Sequence, residues 1–69
     1  MARDTSERLD EARRALEALS ERLSDIALDL LRSALEADTP EERERLRGDE
    51  KRVTRARRAV EKAGSLLDT

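Results

Sequence analysis

One heptad repeat dominates the first half of the chain and limits what the chain can fold into. Between Leu9 and Leu30 the apolar residues are separated alternately by three and four positions. They are Leu9, Ala12, Leu16, Leu19, Leu23, Ile26 and Leu30. If Leu9 is heptad position a, these residues occupy positions a and d. This spacing predicts a long α-helix that packs lengthwise against another helix along an a/d seam.

The residues around the repeat predict a first helix over about 6–37. This stretch has no Gly or Pro and is dominated by Ala, Leu, Glu and Arg, which are strong helix formers. Either Thr5 or Ser6 can cap its start, because its side-chain oxygen can accept a hydrogen bond from an N–H in the first turn. We therefore expect residues 1–5 to lie outside the helix.

Three further leucines of the first helix lie off the seam. Leu28, Leu31 and Leu35 fall at positions f, b and f, on the side away from positions a and d. We call these three residues the leucine patch. A two-helix chain cannot cover both the seam and this patch, so we expect the patch to form a dimer interface or a contact with a larger protein partner.

The segment 38–42 marks the connection to a second helix. Thr39 is a favourable N-cap, Pro40 suits the first helical position, and Glu42 follows Thr39 by three residues, which forms a capping box. A short connection of this kind joins antiparallel neighbours. The second helix is predicted over about 40–67, with a seam that continues through Leu46, Val53, Ala56, Val60, Ala63 and Leu67.

Gly48 is the weakest position of the second helix and leaves two architectures open. If the helix continues through it, the chain is a single domain over residues 1–69: an all-α antiparallel two-helix hairpin that dimerises into a four-helix bundle. If the helix breaks there, the segment 41–47 can fold over the leucine patch and give a three-helix monomer. We favour the continuous helix, because Leu46 and Val53 are one heptad apart and keep the seam in phase.

The composition offers little material for catalysis. The chain has no His, no Cys and no aromatic residue, so it lacks the usual general bases, thiolates and soft metal ligands. Pairs of carboxylates at helical spacing, such as Asp25 and Asp29, fall off the seam and are expected to be solvated. We therefore expect no enzymatic activity, no cofactor and no metal.

The absence of a leader-like or long apolar segment predicts a cytoplasmic protein without membrane contact.

The charge distribution suggests a second function. Residues 1–39 carry ten acidic and six basic side chains, whereas residues 40–69 carry seven acidic and nine basic ones. We call Lys51, Arg55, Arg58 and Lys62 the basic stripe; they fall at positions f, c, f and c and span about 16 Å. The leading hypothesis is a homodimeric structural or protein-interaction module. The alternative is a nucleic-acid-binding hairpin that contacts phosphates through the basic stripe. We expect Arg52 and Arg57, at positions g and e, to pair with acidic residues of the first helix.

Overall fold

The computed structural model describes residues 2–68, and side chains from residue 4 onward. It contains two α-helices, α1 over Ala2–Glu36 and α2 over Pro40–Leu67, which pack against each other along their length. The hairpin is rod-like, with extents of 57 × 14 × 13 Å. Its radius of gyration of 16.4 Å exceeds the roughly 11 Å typical of a compact globular chain of this length. The predicted all-α two-helix hairpin is confirmed.

The start of α1 differs from the prediction. The helix begins at Ala2, so neither Thr5 nor Ser6 caps it, and residues 2–5 are helical. The reason lies in the sequence of this first turn, which contains no helix breaker and places Asp4 near the positive end of the helix dipole. At its other end α1 stops at Glu36, one residue before the predicted boundary. The N–H of Ala37 closes the last turn by donating to the carbonyl of Ala34.

The connection between the helices follows the capping pattern of its sequence. Thr39 has extended backbone angles and its hydroxyl accepts a hydrogen bond from the N–H of Glu42 at 3.1 Å. Pro40 occupies the first helical position, where its missing N–H costs no intrahelical bond. Arg43 then reaches back and donates to the carbonyl of Ala37 at 3.5 Å. Glu36 and Pro40 are thus close enough in sequence to force the two helices to run antiparallel.

Helix α2 is continuous through Gly48, which excludes the three-helix arrangement. No glycine has a positive φ, and Gly64 also lies inside the helix. The helix ends at Leu67, where the N–H of Asp68 donates to the carbonyl of Ser65 at 3.2 Å. The continuous helix leaves the leucine patch uncovered, with Leu28 52%, Leu31 43% and Leu35 82% exposed.

The contact between the helices is rotated from the predicted a/d seam toward position e. Among the described residues only Ala27 and Ala34 are buried, and both occupy heptad position e. The half-buried residues at positions a and e complete the contact: Arg13, Leu16, Ser20, Leu23 and Leu30 on α1, and Leu46, Glu50, Val53, Arg57, Val60, Gly64 and Leu67 on α2. The predicted a/d seam is therefore confirmed only in part: position a from Leu16 onward lies in the contact, and at position d Ala12, Asp49 and Ala63 are half-buried. Leu19 and Ile26, at position d, are 41% and 46% exposed.

The rotation of the contact from a/d to a/e has a steric reason. Position e of α1 holds the small residues Ser20, Ala27 and Ala34, whereas position d of α1 holds the larger Leu19 and Ile26. On α2, position e holds Gly64 together with the larger Glu50 and Arg57, so the small residues belong mainly to α1. Two helices that meet through small residues can bring their backbones closer than helices separated by leucines. The centre of the contact on α1 thus lies at the buried Ala27 and Ala34, and the larger Leu19 and Ile26 lie beside it.

Replacing Gly48 by Ala tests the continuous helix. No atom lies within 4 Å of a Cβ placed at this position, and the backbone is already helical. We expect Gly48→Ala to stabilise the protein by roughly 0.4–1 kcal/mol, because Ala has the higher helix propensity and a less flexible unfolded chain. Urea unfolding followed by circular dichroism measures the change. Gly48→Pro, which should cost about 3 kcal/mol or more in a helix interior, is the control. A destabilising Gly48→Ala would contradict a continuous α2.

Candidate interaction surfaces

Polar side chains line one edge of the contact between α1 and α2. Arg57 of α2 donates from Nη1 to the hydroxyl of Ser24 on α1 at 3.2 Å. Near the open end, Arg13 donates from Nε to the carbonyl of Leu67 at 2.9 Å and forms ion pairs with Asp10 and Asp68 at 2.6 and 3.3 Å. These contacts join positions that are 33 and 54 residues apart in sequence and fix the register of the two helices.

The expected pairing of Arg52 and Arg57 with acidic residues of α1 is wrong. Arg52 forms its ion pair with Asp49 of its own helix, at 2.8 Å. Arg57 meets the neutral Ser24, and its Nε is buried without a hydrogen-bond partner among the described residues. The reason is the a/e contact, which brings Ser20 and Ser24 of α1, rather than its acidic residues, to the edge where Arg57 lies.

The opposite edge of the contact is apolar. Because successive helical residues are about 100° apart, Ile26 and Leu28 project to opposite sides of the buried Ala27. Ser24 precedes Leu28 by about one turn, so the edge with the Ser24–Arg57 bond is also the edge of Leu28. Ile26 therefore lies on the other edge. On α2 the same spacing turns Ala56 away from the polar edge that Arg57 marks, toward the edge of Ile26.

This second edge forms a continuous surface that we call the d face. Its members occupy position d on the two helices: Ala12, Leu19, Ile26, Ala56 and Ala63. Asp49, also at position d, is held by Arg52 and marks the polar end of the face toward the connection. The sequence identified every one of these residues as seam residues. In the structure Leu19, Ile26 and Ala56 are exposed at the edge of the contact, whereas Ala12 and Ala63 are half-buried there.

The leucine patch occupies the other side of α1, near the connection. Leu28, Leu31 and Leu35 are all exposed, as expected from their positions f, b and f. They are separated from the d face by the width of the α1–α2 contact. The hairpin therefore presents two apolar surfaces that face in different directions.

The basic stripe lies on the outer side of α2, as predicted. Lys51, Arg55, Arg58 and Lys62 are exposed. None of the four forms an ion pair with a described side chain of residues 4–68. Ion pairs in that range join Arg13, Arg32 and Arg52 to aspartates. The positive charge of the stripe is therefore not neutralised by the hairpin.

The described part of the chain shows no built chemical centre. No three carboxylates among the described side chains, residues 4–68, gather at a distance suited to a metal ion. The grooves along the hairpin are open and lined by solvated side chains. Neither α1 nor α2 is long and apolar enough to cross a membrane.

Comparison with protein families, with characterised proteins and with solved structures finds no match.

The unpaired Arg57 gives a test of the geometry at the polar edge. We expect Ser24→Asp to stabilise the protein by about 1 kcal/mol, because a carboxylate at this place can accept a charge-assisted hydrogen bond from the guanidinium. Thermal or urea unfolding measures the change. In a chain that already carries Arg57→Gln, Ser24→Asp should not increase the free energy of unfolding. The difference between the effects of Ser24→Asp in the two backgrounds measures the interaction of residue 24 with Arg57. An equal effect in both backgrounds would contradict the Ser24–Arg57 contact.

Proposed function

We propose that this chain is a non-catalytic protein-interaction module that acts as a homodimer, with apolar faces as its contact surfaces. The observation that carries the proposal is the lack of a core within a single hairpin. Only two alanines are buried among the described residues, and no large side chain is fully buried. An isolated hairpin thus leaves most of its leucine surface in water, which gives association a strong hydrophobic driving force.

The accessible surface supports the same proposal. A compact monomer of 7.9 kDa is expected to expose about 4,400 Å². The hairpin exposes 5751 Å², an excess larger than the roughly 800 Å² that each partner buries in a standard protein interface. A second copy can cover one apolar face. The leucine patch then remains a docking surface for a larger protein. A hydrophobic groove of that protein would bind the side chains of Leu28, Leu31 and Leu35.

The mass in solution tests the dimer. We expect sedimentation equilibrium to give twice 7.9 kDa at micromolar concentrations, with a melting temperature that rises with protein concentration, because association and folding are linked. Interference optics are needed, since the chain has no aromatic residue. A fully helical species of 7.9 kDa whose melting temperature does not change with concentration would contradict the proposal.

Polyanion binding is the second candidate function. It is favoured by one observation: the four cations of the basic stripe are exposed and have no acidic partner among the described residues. Such a row can follow a phosphate backbone. Without aromatic residues the chain cannot stack single-stranded bases, so a duplex is the more suitable substrate. Nothing in the stripe selects a base sequence.

Salt dependence separates this candidate from apolar docking. If the stripe binds duplex nucleic acid, affinity should fall steeply between 50 and 200 mM salt, and Arg55→Gln with Arg58→Gln should lower the slope of log K against log salt by about 2. The matched control is Arg14→Gln with Arg22→Gln, two exposed arginines of α1. Fluorescence anisotropy of a labelled duplex measures both. Equal effects of the two pairs, or no binding at 50 mM salt, would remove the candidate.

A further inference from the structure

The most informative surface of the hairpin is the d face. Its five residues occupy position d of heptads whose a positions lie in the contact between α1 and α2, and its two large members, Leu19 and Ile26, remain 41% and 46% exposed. A helix in a four-helix bundle contacts two neighbours, so it needs apolar residues on two adjoining sides. Within the hairpin, residues at positions a and e contact the other helix. Position d lies next to position a, on the side away from position e. Positions a and d are also the core positions of a four-helix bundle, and the a/e contact within the hairpin leaves the d residues Leu19 and Ile26 available for a second neighbour.

We infer that the d face is the homodimer interface and that α1 of one chain packs on α2 of the other. This inference rests on the proposed dimer and identifies its face and its arrangement. In such a bundle the half-buried a residues Leu16, Leu23 and Leu30 point toward the shared centre together with Leu19 and Ile26. The leucine patch stays outside.

The sizes of the side chains across the d face favour this arrangement. Leu19 lies nineteen residues before Asp38, the midpoint of the connection, and Ala56 lies eighteen residues after it, so the two are at nearly the same height along the rod. Counting from Asp38 in the same way places Ala12 and Ala63 at nearly the same height along the rod. The large side chain at Leu19 therefore lies beside a small one. If the partner is rotated about an axis parallel to the rod, Leu19 of each chain meets Ala56 of the other, so that a large side chain packs on a small one. The same counting sets Ile26 level with Asp49, which Arg52 holds at the polar end of the face.

Charge leads to the same arrangement. Residues 1–39 have four more acidic than basic side chains, and residues 40–69 have two more basic than acidic ones. Packing α1 on the partner's α2 brings an acidic helix against a basic one. The competing arrangement, with α1 on the partner's α1, places two acidic helices side by side and sets large d residues against large ones. The opposite net charges of the two helices favour the first arrangement, and the like net charges of two α1 helices disfavour the second.

Two pairs of matched substitutions test which face is used. Leu19→Gln with Ile26→Gln alters the d face, and Leu28→Gln with Leu31→Gln alters the leucine patch; the first two residues are 41% and 46% exposed, the second two 52% and 43%. We expect the first pair to raise the dimer dissociation constant at least 100-fold and the second to change it by less than threefold. Circular dichroism of each variant checks that it remains helical.

Cysteine cross-linking tests the arrangement, since the natural sequence contains no cysteine. A mixture of Leu19→Cys and Ala56→Cys chains should form a mixed disulfide-linked dimer under mild oxidation. Leu19→Cys chains alone should form little, because the two α1 helices lie on a diagonal of the bundle. This experiment needs no destabilised variant.

The outcomes distinguish the inference from the proposed function. A wild-type chain that sediments as a monomer would refute both. A wild-type dimer that is weakened by the Leu28→Gln and Leu31→Gln pair as much as by the other pair would leave the dimer intact and overturn the d face. Efficient linking of Leu19→Cys chains to each other, without the mixed product, would overturn the arrangement of α1 on the partner's α2.

Discussion

The close packing of small residues between α1 and α2 determines most of this structure. Ala27 and Ala34 are the two buried side chains among the described residues, and Gly64 lies on the facing stripe of α2. Contacts of this size let two helices approach closely, but they bury little apolar area, and buried area is the main source of stability. The hairpin thus gains a defined geometry from residues that contribute little hydrophobic free energy. The larger residues of the same heptads are displaced to its surface.

Polar contacts fix the register that the small residues leave open. The small residues at position e of α1 have few features that prevent two helices from sliding past each other. Arg13 bonded to the carbonyl of Leu67, and Arg57 bonded to Ser24, provide specific contacts at two separated levels of the rod. Both arginines are only partly buried, so water screens them and their contribution to stability is small. Their main effect is to select one alignment of α1 and α2.

The sequence allowed local features to be predicted better than packing. The N-cap at Thr39, Pro40 at the first helical position and the in-phase spacing around Gly48 depend on neighbouring residues, and the structure agrees with all three. The outward position of the basic stripe also follows from helical periodicity alone. The choice between a/d and a/e contacts does not, because the same heptads fit both. Leu19 and Ile26 satisfy the seam pattern, and only the closer approach through Ala27 and Ala34 excludes them from the hairpin contact.

The arrangement of a dimer would also determine what the basic stripe can bind. The stripe lies at positions c and f, away from position d, so it remains exposed in any dimer formed through the d face. With α1 packed on the partner's α2, the two α2 helices lie diagonally, and the two stripes face opposite directions. Each chain would then offer a separate footprint about 16 Å long, too short to hold a duplex strongly through charge alone. With α2 beside the partner's α2, the stripes would instead form one broad basic surface. The inferred arrangement thus favours apolar contacts over polyanion binding as the main role of this hairpin.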